Sequence, residues 1–415
     1  MHRSVRPADR GRRGPGGYGD GVSQQVPPAS QTAILDAIRS SRTVSRVELT
    51  RATGLTPATV SIVVRRLIDS GLVVEVGRGD STGGKPRTLL ELAPTSRYAV
   101  GAHLDEDGTT YVVVDLGGAV VARWRRRGIG DGDPHVTVAR IASEVQGIVE
   151  RAAIDPARLV GLGVVSAGPL VLGTGRVLAP PAMAHWVDFP LRERLEDATG
   201  LPVLLDNDAT ASVVGSYWAE RVPDTVAMAA LFVGSGIGAG ILTDGTVYRG
   251  ARGNAGEVGH TTVDLDGPEC WCGNRGCLEV MAGPATVVAQ ARAAGFDLGP
   301  ADRPVLTAFH DLARRALAGD QPATALLTRS ARYVAVGAHT LANILDLDLL
   351  VLTGPALAVA GPVYLPVVAR HLAEAFFARG SGSVDVRLSA HGAEAAAIGA
   401  AALALQSGLA PRSRG

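Results

Sequence analysis

Apolar residues fall into two textures along the chain, and the change between them divides it. From Gln31 to about residue 70 they recur with a helical period. Ile34, Leu35 and Ile38 stripe one helix. Val60, Val63, Val64, Leu67 and Ile68 stripe another at i, i+3, i+4, i+7 and i+8. Ser45 and Glu48 form a capping-box pattern, so a short helix starts there, and Gly54 can end it in a left-handed conformation. Thr56 caps the third helix, with Pro57 where a missing N–H costs nothing. Leu72 to Val76 and Thr88 to Leu92 read as paired strands joined by a Gly-rich loop, which makes a winged helix-turn-helix over 29–92.

From about Tyr98 the pattern becomes short Val/Leu-rich runs alternating with Ala/Arg-rich helical stretches. Tyr111–Leu116, Leu159–Val165, Val203–Leu205, Val226–Val233 and Leu349–Leu352 read as strands of an α/β body, split into two lobes around a cleft. The first 28 residues carry Arg, Gly and Pro and no apolar run, so they are expected to be a disordered tail rather than a signal peptide. No apolar run is long enough to span a bilayer, and a cytoplasmic location is expected.

Charge sharpens this division. The 415 residues are neutral overall, yet Met1–Leu92 holds 14 Lys+Arg against 8 Asp+Glu, leaving 26 against 32 for the rest. A basic head on an acidic body suits double-stranded DNA as the head's partner. Thr56, Thr59, Ser61 and Ile62 lie outside the buried stripe, where short side chains approach base edges. Arg65 and Arg66 reach phosphates. In the wing, Arg78, Lys85 (the only lysine in the chain) and Arg87 suit a minor groove.

The candidate chemistry is concentrated in the body. The three cysteines, Cys270, Cys272 and Cys277, lie within eight residues, with His260 ten residues upstream. One imidazole and three thiols are the ligand set of a closed, structural zinc site, one ion per chain; the alternative is a chance cluster of small buried residues. Asn207-Asp208 follows a strand and precedes a helix, where it either faces a ligand crevice or merely caps the helix. Gly234–Gly240 either lets backbone N–H groups approach an anion or a sugar, or is a bare glycine turn. Glu257 and Glu279 flank the metal ligands and can each accept from two vicinal hydroxyls; read singly, each is a surface charge.

Gly256-Glu257-Val258-Gly259-His260, the Cys-x-Cys-Gly-x-x-Gly-Cys-x-Glu run ending at Glu279, the Asn207-Asp208 pair and the Gly234–Gly240 loop together resemble the ROK family of sugar repressors and sugar kinases. The resemblance covers about residues 30–405. It implies a two-lobed actin-like ATPase body over 97–405: lobe 1 at 97–220 plus a returning helix at 393–405, lobe 2 at 225–390. It places a sugar between the lobes against Asn207, Asp208, Glu257, His260 and Glu279. Family kinases open with Asp-x-Gly-Gly-Thr, whose glycines admit ATP phosphates. Here the matching stretch is His103-Leu104-Asp105-Glu106-Asp107, and Pro355 stands where a second glycine meets the adenosine.

The family's Ala-Pro-Asn segment lacks its Asn in Ala179–Trp186, where His185 is a possible substitute, and Ile62 stands where many relatives have Arg. The implied protein is a regulator without catalytic residues, Asp208 being a vestigial base. It would be a repressor controlled by a sugar or sugar derivative, acting as a homodimer or tetramer and touching no membrane. The alternatives are an ATP-dependent sugar kinase that keeps a DNA-binding head, with Asp208 as working base, and a regulator that answers to a protein partner.

Overall fold

A computed structural model describes residues 28–78, 87–130, 132–168, 170–171, 176–177, 186–219 and 227–409. The tail up to residue 27, Lys85, the Arg78 side chain and His185 lie outside the described residues. The head comprises α1 (Pro28–Ser41), β1 (Val44–Ser45), α2 (Arg46–Thr53), α3 (Pro57–Asp69), β2 (Val73–Arg78) and β3 (Thr88–Leu92). Its local signals act as their chemistry dictates. The Glu48 carboxylate accepts the Ser45 N–H at 2.7 Å while Ser45 Oγ accepts the Glu48 N–H. Gly54 closes α2 at φ 65°. Thr56 Oγ1 accepts the Thr59 N–H at 3.2 Å, and Pro57 fills the first turn of α3.

Ile34, Ile38, Leu49, Val60, Val64 and Leu90 meet in a closed core, while Ile68 is only half-buried at its edge. A strand absent from the sequence reading completes the head: β1 pairs with β3 through Val44 and Leu90. Two residues are too few to carry a period.

The body begins with β4 (Tyr98–Leu104), β5 (Gly108–Asp115), β6 (Val120–Arg127), α4 (Pro134–Arg151) and β7 (Leu159–Ser166). The β8 (Leu170–Val171) and β9 (Arg176–Val177) hairpin, α5 (Leu191–Thr199), β10 (Val203–Asn207) and α6 (Asp208–Ala219) follow. Then come β11 (Ala227–Val233), β12 (Ile237–Thr243), β13 (Thr246–Val247), α7 (Leu278–Ala282), α8 (Pro284–Ala293), α9 (Val305–Leu317) and α10 (Gln321–Leu345). The described residues end with β14 (Leu349–Thr353), α11 (Leu357–Ala375), β15 (Asp385–Leu388) and α12 (Ala395–Leu409).

Two five-stranded sheets share one plan. In the order β6-β5-β4-β7-β10 and again β13-β12-β11-β14-β15, an antiparallel meander continues into two parallel strands. Alternation along β11 explains the layering. Met228, Ala230 and Phe232 face a core shared with α6, α12 and the first sheet; Ala229, Leu231 and Val233 face α7 to α11. The outer face of the first sheet is covered by α4 and α5. Helices α6 and α12 thus lie between two sheets, which is why residues 395–405 are buried without a polar face.

Glycine makes this inner layer possible: a Cβ on Gly215 would overlap the Ala395 carbonyl, and one on Gly399 the Ala211 carbonyl. No described helix is long and apolar enough to cross a membrane.

Candidate ligand cleft and metal centre

A cavity of ≈ 620 Å³ opens where the ends of both sheets meet α6, and Asn207, Asp208, Glu257, His260 and Glu279 are all in its wall. Its size suits a small ligand. The strand-to-helix junction from β10 into α6 delivers the first two. Asn207 Oδ1 accepts the Thr210 N–H at 3.0 Å and Asp208 Oδ1 the Ala209 N–H at 2.7 Å, so both begin the helix and face the cleft. Asp206, one residue earlier, is held bidentately by Arg249 at 2.8 and 2.6 Å.

The residue opposite Asp208 is His103, at the end of β4. Its Nε2 lies 3.4 Å from Asp208 Oδ2, and Phe232 packs edge-on against its ring. Burial lowers the affinity of His103 for a proton, but the hydrogen bond to Asp208 and the charges of Asp208 and Asp105 outweigh it, so its pKa is raised. Asp105 and Glu106 continue the wall, and burial raises the Asp105 carboxyl. Asp107 turns away: its Oδ2 accepts the Leu306 N–H at 3.2 Å and so caps α9 on the far side of the cleft.

The two glutamates differ. Burial, then Asp208 and Glu279, push Glu257 up to about 7. Glu279 is already engaged, accepting the Ile237 N–H and the Trp271 indole N–H, both at 3.0 Å. The glycine segment also departs from its sequence reading. Gly238 and Gly240 lie within β12 and admit Ala209 and Val213 of α6, while Gly236 packs beside the Glu279 carboxylate. These glycines serve close packing at least as much as ligand access.

Below the cleft, one ligand atom from each of His260, Cys270, Cys272 and Cys277 lies within 4.8 Å of every other. His260 Nδ1 is 3.5 Å from Cys270 Sγ, and Cys272 Sγ is 3.7 Å from Cys277 Sγ. Zinc bonds of ~2.3 Å to sulfur and ~2.05 Å to nitrogen give tetrahedral edges of about 3.8 and 3.6 Å, so the donor set fits that ion. Left-handed glycines, Gly273 at φ 90° and Gly276 at φ 58°, fold the loop tightly enough to bring the thiols together. Trp271, between two of the cysteines, packs edge-on against His260 at 4.9 Å and reaches the cavity wall.

In the head, Thr56, Ser61, Arg65, Arg66 and Arg87 are exposed and Thr59 and Ile62 half-buried, all outside the core stripe. Sequence reasoning missed His103, Trp271, the Asp206–Arg249 pair and Asn254, which also lines the cavity. His103 is the penultimate residue of a wholly buried strand, and an ionisable residue there was the available signal.

The model of the ROK family matches residues 106–407, and that of the MarR family residues 24–81. A putative xylose repressor from Caldicellulosiruptor sp. (strain Rt8B.4) is 37% identical over 254 residues, 60% of this chain and 62% of that protein. The chain spans 62–66% of the length of the xylose repressors it matches. A glucokinase from Halalkalibacterium halodurans is 30% identical over 317 residues, 74% of this chain and 94% of that protein. Among solved structures, a ROK family transcriptional regulator, a homolog of the E. coli MLC protein, superimposes with a TM-score of 0.71. It covers 92% of this chain and 98% of its own at 24% identity, a likeness of fold.

Proposed function

Since the chain belongs to the ROK family, we propose that it is a DNA-binding transcriptional regulator, a repressor of sugar metabolism or transport controlled by a sugar or sugar derivative in the cleft. The head reads operator duplex through Thr56, Thr59, Ser61 and Ile62 and holds phosphates and the minor groove with Arg65, Arg66, Arg78, Lys85 and Arg87. Asn207, Asp208, Glu257, His260 and Glu279 take the sugar's hydroxyls. The lobes, 97–220 with 393–405 and 225–390, close on it, and in a cytoplasmic dimer or tetramer their closure alters the spacing of two heads. Zinc on His260, Cys270, Cys272 and Cys277 supplies a structural cross-link. The loop it ties carries Trp271 and leads into Glu279, so the chain's own residues, not the ion, meet the ligand.

The observation that carries the non-enzymatic reading is the His103–Asp208 pair. A kinase needs a free carboxylate to take the sugar's proton and a glycine loop to admit phosphates. Here Asp208 Oδ2 faces a protonatable imidazole at 3.4 Å, Oδ1 is spent on the start of α6, and Asp105 and Glu106 stand in the wall.

Zinc-loaded protein and a duplex selected by it from a random pool provide the test. Binding that weakens with salt and is relieved by an aldose, D-xylose being the first probe, supports the regulator. ATP-dependent phosphorylation of that aldose would instead establish the kinase, and DNA binding indifferent to every sugar would favour a protein partner.

A further inference from the structure

Arg39 is the least expected charge in the molecule. It belongs to α1 of the DNA-binding head, is 4% exposed, and is buried against the body rather than within the head. Its guanidinium lies 4.4 Å from the centre of the Trp218 ring and 5.3 Å from that of Tyr217, and its Nη1 donates to the Trp218 carbonyl at 3.5 Å. Asp36, one turn earlier, is 3.7 Å from its Nε, while Nε and Nη2 make no hydrogen bond among the described residues.

A buried ion pair this incompletely satisfied stabilises little, and an apolar residue of the same volume packs there as well or better. The best-attested use of such a pair is to fix register between two surfaces.

Arg39 grips the end of one helix. Trp218 is in the last turn of α6, where a cation complements the C-terminal dipole and orphan carbonyls. The first turn of the same helix is Asp208 and Ala209 in the cleft wall. Twelve residues, about 18 Å of helix, therefore join the two sites directly. The helix is held as a rod, since all but Tyr217 and Ala219 of its residues are buried between the sheets.

The partner helix α12, locked to α6 at Gly215 and Gly399, ends on the same face of the head. Gln406 reaches Asp36 at 3.5 Å, and the Leu409 carbonyl accepts from Gln31 at 2.7 Å. Leu116 and Leu409 complete the apolar core of the head, so the head is docked on these helix ends and not merely tethered.

We propose that α6 transmits the state of the cleft to the DNA-binding head, with Arg39 as the positioning residue that keeps α1 in step with it. The names of the two ends rest on the reading above; the coupling itself can be tested with neither sugar nor DNA. Coupling between sites is reciprocal, so a change at either end has to appear at the other.

The experiment is hydrogen exchange on full-length, zinc-loaded protein. In Arg39→Met, which keeps volume and loses the charge, the amides of Ala209 to Val213 at the cleft end exchange faster by about tenfold, while β7 and α4 are unchanged. Arg39→Lys, which restores a cation without the flat stacking surface, recovers part of the protection. In the reverse direction, Asp208→Asn raises exchange in the last turn of α1. A merely structural Arg39 changes only α1 and Tyr217–Ala219, and that result overturns the proposal. If Arg39→Met exchanges globally, Asp36→Asn decides by the same criterion, because it frees the guanidinium without removing it. Loss of sugar or DNA binding in the wild type leaves this outcome unaffected, so the two readings fail separately.

Discussion

The charge of the cleft discriminates between classes of effector, and its size allows the effect to be estimated. Asp105, Glu106, Asp208, Glu257 and Glu279 line a cavity of ≈ 620 Å³, and none of its described lining residues is Lys or Arg. As a sphere that volume is about 11 Å across, so a terminal phosphate anywhere inside lies roughly 8 Å from several carboxylates. At an effective dielectric constant of ~20 each unit pair costs about 2 kcal/mol, and screening at physiological salt reduces this to somewhat under 1. A dianion facing two or more ionised carboxylates therefore loses about 3 kcal/mol, roughly a hundredfold in affinity.

The assay is calorimetric titration of the zinc-loaded protein with whichever aldose binds and with its terminal phosphate. We expect the free sugar to win by about two orders of magnitude, and the gap to narrow in Glu106→Lys, the exposed one of the five carboxylates. Equal affinities, or a preference for the phosphate, would refute the argument.

Three further outcomes follow from the geometry. Cys270→Ser with Cys272→Ser abolishes the bound metal, measured by atomic emission, and with it the response to sugar; a response that survives without metal removes the structural role given to zinc. His103 has a folded-state pKa above its ordinary 6.5, so its contribution to stability is complete below 6.5 and is lost as pH rises through the folded value. His103→Gln removes that fall, seen as a flatter pH dependence of urea unfolding above pH 6.5. Asp208 and Asp105 hold the proton on, with Arg125 opposing them and Phe232 packed against the ring. Buried Asp105 also loses stability with rising pH, in its own window, so the difference between the two proteins isolates the histidine. Gly399→Ala forces a methyl into the Ala211 carbonyl and costs about 1–3 kcal/mol, read as a lowered Tm with DNA contacts untouched.

Where structure is set by neighbours in the chain, the sequence was readable. Ser45 with Glu48, Gly54 and Thr56-Pro57 each act within four residues, and all behave in the fold as their chemistry requires. Where structure is set by distant packing, pattern misled. β12 reads as a glycine loop because its glycines answer to α6. β6, absent from the strands read in the sequence, alternates half-buried with exposed residues on one edge of the sheet. α12 shows no period, because both its faces are buried.

The site divides in the same way. The metal ligands lie within eighteen residues of sequence, and a short loop has few ways to arrange them, so their spacing foretold their convergence. Asn207 ends a strand of the first sheet and Glu257 lies in the loop after β13, and only the likeness to a family placed them in one cavity. His103 belongs to neither group. It stands where the kinase pattern has an acidic residue, and the resemblance pointed to a changed phosphate loop without indicating what His103 would meet. What it meets is the buried carboxylate of Asp208, at the first turn of α6. In the proposed regulator a carboxylate held in this way registers whether a hydroxyl has come to compete with the imidazole. On the proposed reading, that exchange of partners takes place on the helix whose other end holds Arg39. On the same proposed reading, the substitution that takes a free carboxylate from the kinase also makes a sensor of Asp208, provided that the helix between the two sites is rigid.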